Sequence, residues 1–194
     1  MTKKRAGIAL VITGAVLLLA ALLLFAYNRM EDVRAGEEAV EIMTEIRTAV
    51  EPSDMQKDEA ERKIMPTMTI RGHEYIGYLH IPDLGLELPV MEDWDYNRLK
   101  RAPCRHFGTT YNDDLVIAAH NFKNHFGRID TLPLGAEVTF TDMDGVVSRY
   151  AVGEILERVP EEVAEVRDSQ WDLILYTCTY GGDVRIVVGC ARTE

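Results

Sequence analysis

Hydrophobic and polar positions divide this 194-residue chain into three textures. From Ala6 to Tyr27 runs an uncharged stretch, AGIALVITGAVLLLAALLLFAY, in which 19 of 22 residues are apolar. As a helix it would rise about 33 Å, enough for the ~30 Å hydrocarbon core of a bilayer. It is longer than the ~7–15-residue core of a signal peptide, and no Ala-x-Ala-like site follows it, so a retained membrane anchor is predicted. From Met30 to Met68 the chain is dense in charge. Ala39, Ile42, Met43, Ile46 and Val50 recur there at helical spacing until Pro52. This pattern predicts an amphipathic helix over Glu31–Glu51 and a polar connection over Pro52–Met68. The apolar stripe is thin and the repeat short for a coiled coil, so the segment reads as a stalk whose stripe packs on the following domain.

From Thr69 onward the texture changes to short β-type runs broken by turn residues. Tyr75–Ile81, Leu86–Met91, Leu115–Ala119, Glu137–Thr141, Val146–Leu156, Asp172–Thr179 and Val184–Cys190 are the predicted strands of a set of about eight. Asp93–Ala102 reads as a short helix and Phe126–Leu132 as one helical turn. Helical pieces this few and short cannot supply repeated βαβ crossovers. The expected fold is therefore all-β with short helices, an eight-stranded closed or nearly closed barrel. The boundaries drawn are 1–28 for the cytoplasmic N-terminus and anchor, 29–68 for the helical stalk, and 69–194 for the barrel.

Charge refines this outline. Lys3, Lys4 and Arg5 precede the apolar run, whereas Arg29 is followed at once by Glu31 and Asp32. The positive flank belongs in the cytoplasm, which predicts a single-pass plasma-membrane protein with everything after Asn28 outside. The whole chain carries 21 Lys and Arg against 32 Asp and Glu, a net of −11. With its three basic residues before Ala6 set aside, the part beyond the anchor stands at −14. That balance argues against nucleic acid as a partner, since phosphate contacts need clustered Lys and Arg. Three cysteines cannot all pair within the chain, and none lies in a Cys-x-x-Cys spacing, so neither a disulfide scaffold nor a zinc module is expected. Neither cofactor nor metal is expected.

Three strand ends hold the candidate chemistry. LILYTC (173–178) is an apolar strand ending in Cys178, VRIVV (184–188) carries Arg185 inside an apolar run, and LVIAA (115–119) is followed by His120. A thiol becomes a useful nucleophile only as thiolate, which calls for a neighbouring His or cation. An arginine keeps its charge and can donate two hydrogen bonds to an oxyanion. Each residue also has a plain structural reading. A lone Cys in an apolar strand is usually inert packing, His120 could be a turn residue, and Arg185 could pair with Asp183 or Asp172. Cys104, near Arg101 and Arg105, is a weaker reactive candidate, and Cys190 reads as core. His106 and His125 flank loops and are expected at the surface; His73 and His80 lie on the first strand region, packed or solvated.

LVIAAHN, LYTCT and GGDVRIVV, together with the early GYLHIP strand, resemble the sortases, membrane-anchored cysteine transpeptidases of Gram-positive cell surfaces. The likeness runs from Gly77 to about Ala191. It implies an eight-stranded β-barrel in which Cys178 is the nucleophile, His120 the acid/base and Arg185 the oxyanion holder, with Thr177 touching the substrate. It further implies that the enzyme cleaves a C-terminal sorting-signal peptide and passes the acyl group from a Cys thioester to an amine of peptidoglycan or pilin. The Pro160–Gln170 segment is too short for the long helix of class B sortases. The Asp-Pro-aromatic lid of pilin polymerases is absent before Gly77, which leaves the subclass open. Some class A sortases hold calcium where Asp113, Asp114, Glu161, Glu162 and Glu165 fall, but a solvated acidic surface is the preferred reading of these residues. A rival from another class is a non-catalytic anchored binding module on the same barrel; a complete set of His120, Cys178 and Arg185 argues against it.

Overall fold

The computed structural model describes residues 2–51, 64–160, 170–179 and 181–193, with side chains from Arg5 onward. A single helix, α1, runs Thr2–Ala49 without a break between the apolar run and the charged stretch that follows. It is the one helix among the described residues long and apolar enough to cross a membrane, with a mean hydropathy of 2.9 in its most apolar window. The chain divides into two compact units, Met1–Arg34 and Ala35–Glu194. The last third of α1, from Ala35, therefore belongs with the strands.

Nine strands follow: β1 (Met68–Ile70), β2 (His73–Ile81), β3 (Leu86–Met91), β4 (Cys104–Phe107), β5 (Leu115–Ala118), β6 (Glu137–Asp142), β7 (Val147–Arg158), β8 (Leu173–Cys178) and β9 (Arg185–Arg192). Their order is β1-β2-β3-β4-β5-β8-β9-β7-β6, and β2 also pairs with β6. The second pairing closes β2–β9 into the expected eight-stranded barrel and leaves β1 as a short added edge. Closure brings β2 against β6 so tightly at Gly77 that a Cβ there would sit 2.1 Å from the Thr141 carbonyl oxygen. β5 and β8 are parallel neighbours. Strands in that setting are covered on both faces and read as unbroken apolar runs, which is why LVIA and LILYTC stand out in the sequence.

Inside the barrel Leu79, Ile81, Leu115, Ile117, Phe140, Leu173, Leu175 and Val188 form one buried cluster. A second cluster lies outside it. There Ile42, Met43, Ile46 and Val50 of α1 meet Ile70, Tyr75, Met91, Ala102 and Cys104. Ion pairs flank this seam: Arg71 with Glu41 (2.5 Å) and Glu45 (2.8 Å), Arg101 with Glu38 (3.0 Å), and Arg47 with Glu87.

The predicted helix over Asp93–Ala102 is reduced to one 3-10 turn, Arg98–Lys100, preceded by Asp95, whose Oδ1 accepts from the amides of Asn97 and Arg98. This segment carries the chain from β3 to its parallel neighbour β4, anchored in the α1-side cluster by Leu99 and Ala102. Two apolar anchors are too few to drive a helix. The turn expected at Phe126–Leu132 is likewise 3-10, over Ile129–Thr131. Most of the Pro160–Gln170 segment lies outside the described residues.

Candidate active site

Pairing places the three predicted residues at one end of β5, β8 and β9. In the antiparallel β8–β9 ladder Cys178 stands directly opposite Arg185. In the parallel β5–β8 ladder Ala118 is level with Tyr176. Beyond the strand the match continues, because the Ala119 amide donates to the Tyr176 carbonyl at 3.1 Å and the Thr177 hydroxyl donates to the Ala119 carbonyl at 2.9 Å. These last contacts bring the chain entering His120 alongside the chain entering Cys178.

Strand alternation decides which way each side chain points. On β8, Leu173 and Leu175 enter the barrel core, whereas Ile174 and Tyr176 join Val116, Val187 and Phe107 on the outer face. Cys178 continues the outer series and is half-buried. Thr177 points inward, is 3% exposed, and spends its hydroxyl on Ala119. Its side chain is thus turned away from the face that carries Cys178.

His120 is held on two sides. Its Nδ1 lies 2.8 Å from Asn121 Oδ1, an acceptor that fixes the proton on Nδ1 and leaves Nε2 for chemistry. The Phe122 ring stacks on the imidazole, with centroids 4.1 Å apart and planes 4° from parallel. Burial lowers the His120 pKa below its ordinary 6.5, with Lys100 acting in the same direction and the Asn121 bond opposing it. Arg185 folds over its own hairpin, donating from Nη1 to the carbonyls of Gly182 (2.8 Å) and Val184 (3.3 Å). Neither Asp183 nor Asp172 is its partner; Asp172 Oδ2 accepts from the Arg192 amide.

The other cysteines are unsuited to nucleophilic chemistry. Cys104 and Cys190 are fully buried, and burial pushes both thiols up to about 12. His125, expected at the surface, is 0% exposed because its loop folds inward behind the core residue Phe126. His106 is half-buried on β4, its pKa lowered by burial, and its Nδ1 lies 3.0 Å from the Tyr176 hydroxyl. Burial raises the Tyr176 phenol pKa. Beside this pair opens a groove of about 590 Å³, lined by Glu92, Trp94, Arg98, Arg105, His106 and Phe107. Sequence reasoning missed Asn121, Phe122 and the Tyr176–His106 pair. An amide directly after the histidine was the one signal that could have pointed to a ring orienter.

Of the acidic residues considered for calcium, Asp113 accepts from Arg192 Nε at 2.5 Å and Asp114 from the Thr109 amide at 2.8 Å. Glu161, Glu162 and Glu165 lie outside the described residues. Among the described residues no group of three or more His, Cys, Asp or Glu is placed to hold a metal ion.

A family model described as "Sortase domain" matches residues 79–193. The chain belongs to the sortase family. Its fold is shared with solved sortases of several classes. Sortase C of Streptococcus pneumoniae is 21% identical with a TM-score of 0.57, over 85% of this chain and 89% of that one. Sortase D5 of Clostridium perfringens, a transpeptidase, is 20% identical with a TM-score of 0.57, over 81% and 97%. Sortase E1 of Streptomyces coelicolor, solved with a tripeptide in its active site, is 18% identical with a TM-score of 0.53, over 62% and 88%. No curated protein sequence matches the chain. Family and fold together make this a sortase-type transpeptidase, and its long N-terminal apolar helix suggests membrane anchoring.

Proposed function

We propose that this sortase is a single-pass membrane enzyme, its N-terminus cytoplasmic and its barrel outside, which cleaves a sorting-signal peptide on secreted proteins and joins the acyl fragment to an amine of peptidoglycan or pilin. The observation that supports this reading is the pairing of Cys178 with Arg185 on the β8–β9 ladder, at the same end of the barrel as the strand β5 that leads into His120.

In this mechanism the Cys178 thiolate attacks the scissile carbonyl carbon and the carbonyl π pair moves onto oxygen. Arg185 stabilises that oxyanion. Its Nε and Nη2 have no hydrogen-bond partner among the described residues, and a guanidinium holds its charge at any working pH. His120, as imidazolium, gives its Nε2 proton to the departing amine as the C–N bond breaks, leaving a thioester on Cys178. The incoming amine then attacks the thioester, His120 takes its proton, and the thiolate leaves. Asn121 and Phe122 keep the imidazole aimed throughout, and Thr177 ties the two strand ends together.

The test is cleavage of a peptide library by the full chain with amine nucleophiles added, run beside Cys178→Ala. Amine-dependent joined products from the wild type, and none from the variant, are expected. Replacing a thiol by a methyl at a half-buried site should change stability by no more than about 1–2 kcal/mol. Turnover that survives in Cys178→Ala would sink the assignment. A wild type that binds peptides without cleaving them, and whose Cys178 reacts with a thiol probe no faster than a free cysteine, would establish a binding module instead.

A further inference from the structure

We propose that the part of α1 packed on the barrel is a positioning element for the acid/base residue, acting through Gly36 on the loop that carries His120. This rests on the role assigned to His120 above. The loop from His120 to Gly127 is closed on itself: the Phe126 amide donates to the His120 carbonyl at 3.2 Å, and the amides of His125 and Gly127 donate to the Phe122 carbonyl at 3.0 and 2.9 Å. His125 and Phe126 are fully buried and root it in the barrel. Asn121 and Phe122, the two residues that hold the imidazole, belong to this same turn. Asn124 is the member of the turn that meets α1.

The meeting point is tight, and what it meets is the Asn124 side chain. A Cβ on Gly36 would lie 2.8 Å from Asn124 Nδ2, 3.1 Å from its Cγ and 3.2 Å from its Cβ. Glycine inside a helix weakens it relative to alanine, so its presence at a tight contact has a steric reason. Gly7 and Gly14 of the same helix differ, with nothing within 4 Å of the equivalent position. Ala35 and Ala39, beside Gly36 on α1, are also small and buried, at 3% and 2% exposure. A residue too large for the Asn124 side chain to turn away from would press on the turn itself and so on Phe122 and Asn121. The imidazole would then lose both its aim at Cys178 and part of the burial that lowers its pKa, with Lys100 left as the charged neighbour acting on it.

The test uses the full chain in detergent micelles, with kcat and KM measured beside an NMR titration of His120. Gly36→Leu introduces a strong helix former, so any effect is not a loss of helix propensity. Misplacing a reacting group by about 1 Å can cost ~100-fold, so kcat is expected to fall about 10- to 100-fold while KM stays within about twofold. The His120 titration is expected to move up toward its ordinary value. Adding Asn124→Gly to Gly36→Leu, which removes the colliding side chain, returns kcat toward wild type. Unchanged kcat and unchanged His120 titration in Gly36→Leu would overturn the proposal, as would equal losses in Gly36→Leu with and without Asn124→Gly. If the wild type shows no turnover at all, the functional reading fails, and the His120 titration in the same variants still decides whether Gly36 positions the loop.

Discussion

Replacing Ile46 by Ala tests whether the helix that leaves the anchor is structurally part of the barrel domain. Ile46 is 0% exposed, within the cluster that also holds Tyr75, Tyr78, Met91 and Cys104. The change deletes three buried carbons, which at ~0.8 kcal/mol each lose about 2.4 kcal/mol of transfer free energy. A residual void of roughly 50 Å³ adds about 1 kcal/mol at ~24 cal/mol per Å³. The expected destabilisation is therefore about 3–4 kcal/mol, a large share of the ~5–15 kcal/mol typical of a domain. Val40, on the same helix but 67% exposed, supplies the control, and Val40→Ala should stay within about 0.5 kcal/mol. Urea unfolding followed by tryptophan fluorescence measures both, since Trp94 and Trp171 lie in the barrel unit. A cost below about 1 kcal/mol for Ile46→Ala, or equal costs at the two positions, would mean that the helix is only a tether and that the packing argument is wrong.

Two further outcomes follow from the site. Arg185→Lys keeps a positive charge but loses the planar fork, so turnover should drop by about 10²-fold or more; steady-state kinetics within threefold of wild type would make Arg185 structural. His106 and His120 are both held below their ordinary 6.5 by burial, so the unfolded chain takes up protons first as pH falls. Their contribution to stability is complete above about 6.5 and is lost as pH drops toward the folded pKa values, so the thermal midpoint should decline between about pH 7 and 5. Calorimetry showing a midpoint that is flat or rises over that interval would refute the assignment of neutral, buried imidazoles.

How far the sequence could be read depended on where each signal lies. β5 and β8 are covered on both faces and so were visible as apolar runs, and Pro82 and Gly85 marked the turn between β2 and β3. β4 was invisible. Its four residues, CRHF, include two polar ones, and only pairing with Met91 and with β5 makes them a strand. The continuity of α1 was hidden by the change from apolar to charged composition near Arg29, which alters the solvent a helix prefers rather than its backbone. At the site, His120, Cys178 and Arg185 could be named from family likeness, whereas their convergence depends on pairings between residues some 58 positions apart, as in Thr177 with Ala119. The burial of His125 and the inward turn of the Thr177 hydroxyl are products of loop closure and strand register, which no local pattern encodes.

The alternation along β8 has a bearing on which lengths of this strand can persist. Leu173, Leu175 and Thr177 face the barrel interior, and Ile174, Tyr176 and Cys178 face outward, Ile174 buried in the outer cluster with Val116 and Val187. Deleting or inserting one residue between them would exchange the two sets at a stroke, sending the thiol into the barrel and two leucines or a threonine out to the cleft. Point substitutions at Tyr176 or Ile174, by contrast, leave the interior set intact. The residue count of the strand is therefore frozen more firmly than the chemistry of its outward positions, so diversity here should arise by replacement and almost never by insertion or deletion.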